Sequence, residues 1–237
     1  MEKHIFFSKL FLIFTYNIVV KNMSKYIVIF ILLMICKKDS RYPIFYQDIK
    51  LISNPSDKMV LVNKNNILPS SYVPSDLTIL PLTVSNKNKY MVKEARDAFV
   101  KLSNEARKEN YTIIAVSTYR DYMYQQNLYE YYVKSKGQHY ADNCSARPGH
   151  SEHQTGLAVD VMGSNYDYDL FIEAKEYEWM KNNAHKYGFI LRYPSGKEEI
   201  TGFKFEPWHY RYVGIDMATL LYEKSITMEE YYENKNV

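Results

Sequence analysis

The sequence predicts an α+β fold, a small antiparallel sheet flanked by helices, and three observations carry that prediction. Apolar residues recur at helical spacing in several segments well separated along the chain. Short runs with strand character lie between those segments. Helices and strands interleave without the regularity of repeated βαβ units, which points away from a parallel sheet.

The elements follow in order. Residues 39–56 read as a polar linker, and residues 57–237 as the single folded domain. Pro69, Pro74 and Pro81, with Asn63 to Asn66 before them, break residues 57–90 into an extended lead-in that wraps the domain. Residues 91–110 are the clearest helix, with Met91, Ala95, Ala98, Phe99, Leu102 and Ala106 on one face. Thr112 to Ser117 is a short β-branched strand. A second helix runs from an acidic cap at Asp121 to Lys136 and stops before Gly137. Residues 137–155 form a long polar loop. Leu157, Val159 and Val161 alternate with Ala158 and Asp160, a half-buried strand with Asp160 opposite the aliphatics. A third helix spans residues 170–187 and ends at Gly188. Phe189 to Tyr193 is a strand, residues 194–197 a turn, and His209 to Val213 another strand. Met217 to Lys224 is helical, and Thr227 with Glu230 forms a capping box that opens a last short helix.

Composition limits the function. The 237 residues allow one substantial core, and 46% hydrophobic with 24% charged content is that of a globular protein. A net charge of +3, with no basic run interleaved with aromatics, argues against nucleic acid as a partner. The 24 tyrosines are unusual but carry no function alone. Two cysteines, Cys36 and Cys144, are too few for a cysteine-ligated zinc and unsuited to a disulfide framework. Residues 1–38 differ from the rest. Lys25 precedes the eleven-residue apolar run Tyr26 to Cys36, the pattern of a secretory signal peptide or an uncleaved membrane anchor, and makes Met23 a candidate start. The alternative is a buried amino-terminal helix. Export implies an extracytoplasmic protein, anchored or secreted, that meets the membrane only through this segment.

Chemistry concentrates in two stretches. Ser151 to Asp160 contains His153 and Asp160, and Glu206-Pro207-Trp208-His209 follows. Two imidazoles and one carboxylate suffice to hold a catalytic zinc ion, with the fourth position left for water. His153, Asp160 and His209 are the candidate ligands. Glu206 suits the proton acceptor better than a ligand, because a fourth protein ligand would close the site. Taken singly, each is as well read as a satisfied core histidine or a solvated acid; the grouping argues otherwise. His150, three residues before His153, could reach the same ion but reads better as a rim residue, and His139 and His185 read as ordinary polar positions. Arg120, at the end of the first strand, offers a fixed cationic fork for an oxyanion or a carboxylate. A salt bridge with Asp121 or Glu130 is the competing role. Arg147 is a second candidate anion clamp. Ser151 is a substrate contact, since the histidine that would activate it as a nucleophile is claimed by the metal.

These residues resemble the VanY-type family of zinc D-alanyl-D-alanine carboxypeptidases. The likeness rests on Ser117-Thr118-Tyr119-Arg120 with Gln125, Leu128 and Tyr129, on Ala146 through Asp160, and on Glu206 through His209. The lead-in around Leu61 to Pro74 is also similar, so the resemblance covers roughly residues 58–234. It implies the compact fold shared with the Hedgehog amino-terminal domain. It also implies one zinc ion on His153, Asp160 and His209, Glu206 as general base, and Arg120 polarising the scissile carbonyl. Ser151 and Gln125, with Trp208 beside them, would line the substrate site. The implied reaction is removal of the C-terminal D-Ala from peptidoglycan stem peptides by a monomer. Thr118 stands where the family usually has Gly, and His150 where Tyr is common, which bears on rim shape. D,D-cleavage of pentapeptide stems is the first expectation and L,D-cleavage of tetrapeptides the alternative. A non-catalytic wall-binding module and a phage-type endopeptidase are the further alternatives, disfavoured by Glu206 and by the export segment respectively.

Overall fold

The structure is a computed structural model that describes residues 45–164, 167–168 and 170–235. The expected signal or anchor segment lies outside the described residues. Among the described residues no helix is long and apolar enough to cross a membrane.

The centre is a four-stranded antiparallel sheet in the order β5-β6-β8-β7, formed by β5 (Ile114–Ser117), β6 (Ala158–Met162), β8 (His209–Tyr212) and β7 (Phe189–Leu191). Two small pairs precede it. β1 (Lys50–Leu51) runs parallel to β2 (Asn66–Ile67), and β3 (Leu77–Ile79) antiparallel to β4 (Tyr90–Val92). β1 falls within the expected linker, where the Ile52 amide also donates to the Ile67 carbonyl at 2.9 Å.

Strand alternation divides the central sheet into two chemically different faces. Val159 and Val161 of β6 and Tyr210 and Tyr212 of β8 enter the main apolar core. There they meet Ala95, Phe99, Leu102 and Ala106 of α1 (Lys93–Lys108), the helix read from its apolar spacing. On the other face, Asp160 pairs in register with His209, and Ala158 with Arg211. Asp160 does lie opposite the aliphatics. The strand is not half-buried, however: all five residues of β6 are buried, because loops and helices cover the polar face as well.

α2 (Tyr122–Lys136) begins at Asp121, whose carboxylate accepts the Tyr124 amide at 2.7 Å, a side-chain cap. The long polar loop is a correction. It contains α3 (Gln138–Cys144) and a 3-10 turn, Glu152–Thr155. Only Ala141 of α3 is buried, so no apolar periodicity marked that helix. The third helix is corrected too. It is broken into a 3-10 turn Phe171–Glu173, α4 (Lys175–Asn183) and a second 3-10 turn Ala184–Tyr187. At the second break the Asn183 side chain donates to the Trp179 carbonyl four residues back, competing with the helical ladder. A short helix, α5 (Glu198–Thr201), follows the turn after β7. The chain ends in α6 (Ile215–Lys224) and α7 (Met228–Lys235). The capping box is formed: Thr227 Oγ1 accepts the Glu230 amide at 3.2 Å, and Glu230 returns to the Thr227 amide at 2.8 Å.

Candidate metal centre and active site

Three elements deliver the polar group. The 3-10 turn Glu152–Thr155 carries His153 and closes on Gly156 in the left-handed region, at φ +68°. A Cβ at that glycine would lie 3.0 Å from Leu77 and 3.1 Å from Val92, so only glycine fits the backbone beneath the site. β6 carries Asp160, and β8 places His209 directly opposite it. A register shift between Ala115 and Ser117 of β5 lies alongside, where Ser117 pairs with Asp160, and the chain then leads to Arg120.

His153, Asp160 and His209 offer one nitrogen or oxygen atom each within 4.8 Å of one another, and all three are buried. His153 Nδ1 lies 2.6 Å from the Thr118 carbonyl, so it carries the proton and donates it. The lone pair is therefore on Nε2, which is buried without a hydrogen-bond partner and 3.3 Å from Asp160 Oδ1. His209 Nδ1 lies 2.9 Å from the same oxygen, and its Nε2 lies 3.5 Å from Glu152 Oε2. Without an ion, burial and the Arg120 charge push His153 down to about 4. Burial also disfavours a charged His209, but its contacts with Asp160 and Glu152 outweigh this and raise it to about 9. Asp160 is held well below the usual carboxylate range by both imidazoles, against the pull of burial. The site thus needs a positive charge between Asp160 and His209, either a proton or a metal ion. Two neutral imidazoles and one carboxylate form a donor set that suits zinc.

The group opens into a cleft of about 420 Å³. Glu206, Arg120, Gln125, Ser151 and Trp208 all line it. Glu206 sits just before β8: its amide donates to the Tyr193 carbonyl and its carbonyl accepts the His209 amide, both at 3.1 Å. Burial raises its carboxyl to about 7, with Asp160 adding and His209, Lys204 and Arg120 opposing. Such a carboxyl can take up and release a proton near neutrality. Arg120 makes neither expected salt bridge. Its nearest acid is Asp160, at 3.9 Å, and its Nε is buried without a partner. Gln125 is buried, donating to Ser145 Oγ (3.1 Å) and the Ala146 carbonyl (2.8 Å), while its Oε1 has no partner. Trp208 packs edge-on against Tyr168, with ring centres 5.2 Å apart.

Two expectations are corrected by position. Arg147 does not line the cleft. Asp142 takes its fork in two 2.9 Å hydrogen bonds, and its guanidinium stacks 3.8 Å from the Tyr46 ring centre. His150 is no rim residue; it is buried, with Nδ1 2.8 Å from the Asn63 carbonyl. Glu152 lies within the Ser151 to Asp160 stretch, and nothing in the sequence assigns it a role. It is fully buried among Arg192, Arg211 and His209. The available signal was Arg211, a charge placed between two core tyrosines in a strand.

Comparison with known proteins agrees with this geometry. The family model VanY, D-alanyl-D-alanine carboxypeptidase, matches residues 88–215. A putative carboxypeptidase of Bacillus subtilis, YodJ, is 42% identical over 202 residues, covering 80% of this chain and 74% of the relative. Among solved structures, the LdcB LD-carboxypeptidase superposes with a TM-score of 0.74 at 41% identity, covering 79% of this chain and 91% of that one. A variant of the vancomycin-resistance D,D-pentapeptidase VanY in complex with zinc gives 0.63 at 34% identity, covering 74% and 98%. On sequence and on fold alike, the chain belongs to the VanY D-alanyl-D-alanine carboxypeptidase family of peptide hydrolases.

Proposed function

We propose that the protein is a zinc carboxypeptidase that releases the C-terminal D-alanine of peptidoglycan stem peptides. The observation that carries this reading is the buried Glu206 carboxyl, raised to about 7, in the same cleft as the His153, Asp160 and His209 group. The three residues would hold one zinc ion, which would supply a lowered pKa for water and polarisation of a carbonyl. Glu206 accepts the proton from the attacking water and passes it to the amine of the departing D-alanine. Arg120, whose Nε has no partner in the protein, donates to the carbonyl oxygen as it gains negative charge. Ser151 and Gln125 bind the stem, and Trp208 walls the cleft beside Tyr168. Arg147 pairs with the Asp142 carboxylate and takes no part in the chemistry.

The family description supports D,D-cleavage of pentapeptide stems. L,D-cleavage of tetrapeptides is the second reading, favoured by the greater likeness to LdcB, 41% identity against 34% for the D,D-pentapeptidase. Action on wall peptides supports a location outside the cytoplasmic membrane. The test is D-alanine release from tetra- and pentapeptide stems by the zinc-loaded protein. The preferred stem decides between the two readings, and no release from either stem would sink the carboxypeptidase assignment.

A further inference from the structure

Glu152 is 1% exposed and lies among Arg192, Arg211 and His209. Its two oxygens are used differently. Oε1 accepts Arg192 Nε at 2.8 Å and lies 3.1 Å from Arg211 Nη1. Oε2 has no hydrogen-bond donor in range, and faces His209 Nε2 at 3.5 Å, itself without another partner. Both arginines are fixed from behind. Arg192 gives Nη1 and Nη2 to Glu229 of α7, at 2.8 and 2.7 Å. Arg211 donates Nε to the Tyr212 carbonyl and Nη2 to the carbonyls of Lys58 and Val60.

Two arginines and two glutamates in a dry interior balance in charge, but such a cluster is weak evidence for stability. Well-packed apolar residues of similar volume often do as well or better. Its geometry fits another use. The geometry points to Glu152 as a positioning residue for the metal centre: its Oε2, 3.5 Å away, is the acceptor for a proton on His209 Nε2, which leaves the Nδ1 lone pair for an ion shared with Asp160. This rests on the ligand assignment proposed above. A ligand imidazole whose second nitrogen donates to a carboxylate is fixed in tautomer and in ring orientation. The turn that supplies His153 as a ligand therefore also supplies, one residue earlier, the brace of the opposite ligand. Arg192 and Glu229 carry that brace to the C-terminal helix, and Tyr193 stacks on the His209 ring 4.9 Å away.

The test is spectroscopic, on the full chain loaded with cadmium-113 and labelled with nitrogen-15 histidine. The expected result is metal coupling to Nε2 of His153 and to Nδ1 of His209, with the His209 Nε2 proton retained. Coupling through His209 Nε2 would overturn the inference and leave the ligand assignment intact. An absence of any coupling to His209 would overturn the ligand assignment as well, so the two failures are distinguishable. In Glu152→Gln, zinc affinity should fall about 10- to 100-fold and His209 should show mixed tautomers. An unchanged zinc affinity with a single His209 tautomer would also overturn it. If the variant does not fold, the measurement on the unsubstituted protein still decides.

Discussion

The two faces of the central sheet are built from the same strands by opposite chemistry. On one, Val159, Val161, Tyr210 and Tyr212 pack against Phe99 and Leu102 of α1. On the other, Asp160, His209 and Arg211 are as thoroughly buried, but among charges. The apolar face is stabilised by leaving water. The polar face is tolerated because each charge meets a partner, or waits for a metal ion. Burial alone therefore does not identify the core of this protein. The face that stabilises and the face that reacts lie a single sheet apart.

The largest effect should come from the reacting face. Glu206→Gln keeps the volume and removes the base, so turnover should fall about 10²- to 10⁴-fold while zinc content stays at one ion per chain. Retained activity would remove Glu206 from the mechanism. In the parent enzyme, activity should rise with pH through an acidic limb at or below about 7, because the carboxyl raised by burial must lose its proton and a bound cation eases that loss. Glu206→Gln should abolish that limb.

The apolar face should respond in the opposite way. Phe99 is fully buried and meets Phe189 edge-on with ring centres 6.0 Å apart. Phe99→Ala should cost about 3–5 kcal/mol of stability, read by denaturant unfolding of the zinc-loaded protein. Zinc affinity and turnover at 25 °C should hold. If turnover collapses while the protein remains folded, the two faces are not separable.

The same division explains what was legible in the sequence. The apolar face was readable because alternation at residues 157–161 and helical spacing at residues 91–110 are periodic, and periodic burial leaves a pattern. His153, Asp160, Glu206 and His209 were readable because their residue types fit one metal chemistry, and the fold gathers them in one cleft. Glu152, Arg192 and Glu229 were not, since a charge in a sequence reads as solvated and its burial depends on partners 37–40 residues away. Arg147 erred in the opposite direction. Its motif drew attention, but Asp142, five residues before it, consumes its fork. The break at Asn183 carries neither Gly nor Pro, so nothing local announced it.

A smaller effect separates the faces by pH in the metal-free protein. Glu206 has a folded value of about 7 against an ordinary 4.5, so the unfolded chain gives up this proton first. Stability contributed at this position is therefore full below about 4.5, declines as pH rises toward 7, and is level above it. Glu206→Gln titrates nothing there. The metal-free variant should match the parent at pH 4 and exceed it at pH 8 by a margin on the order of a few kcal/mol. Chemical unfolding at both values measures this, and an equal gap at both would mean that the Glu206 charge is not what burial penalises. Phe99→Ala, tested the same way, should show a deficit that does not change across this window.

The smallest effect concerns a residue off both faces. Arg147 is about one-third exposed, and its pairing with Asp142 is bidentate, so Arg147→Ala should cost about 1 kcal/mol of stability. Some of that loss is packing against Tyr46, whose ring centre lies 3.8 Å from the guanidinium carbon. As an anion clamp, Arg147 would instead raise KM for the stem strongly and leave stability nearly unchanged. Arg120→Ala provides the contrast, because its side chain lines the cleft and its nearest acid is 3.9 Å away: there turnover should fall and stability change little. Measuring KM, turnover and unfolding for both variants distinguishes an arginine that braces the wall from one that meets the substrate. A KM increase confined to Arg147→Ala would mean that the stem reaches beyond the cleft, past Asp142, and that the reacting face extends further along the surface than its buried charges do.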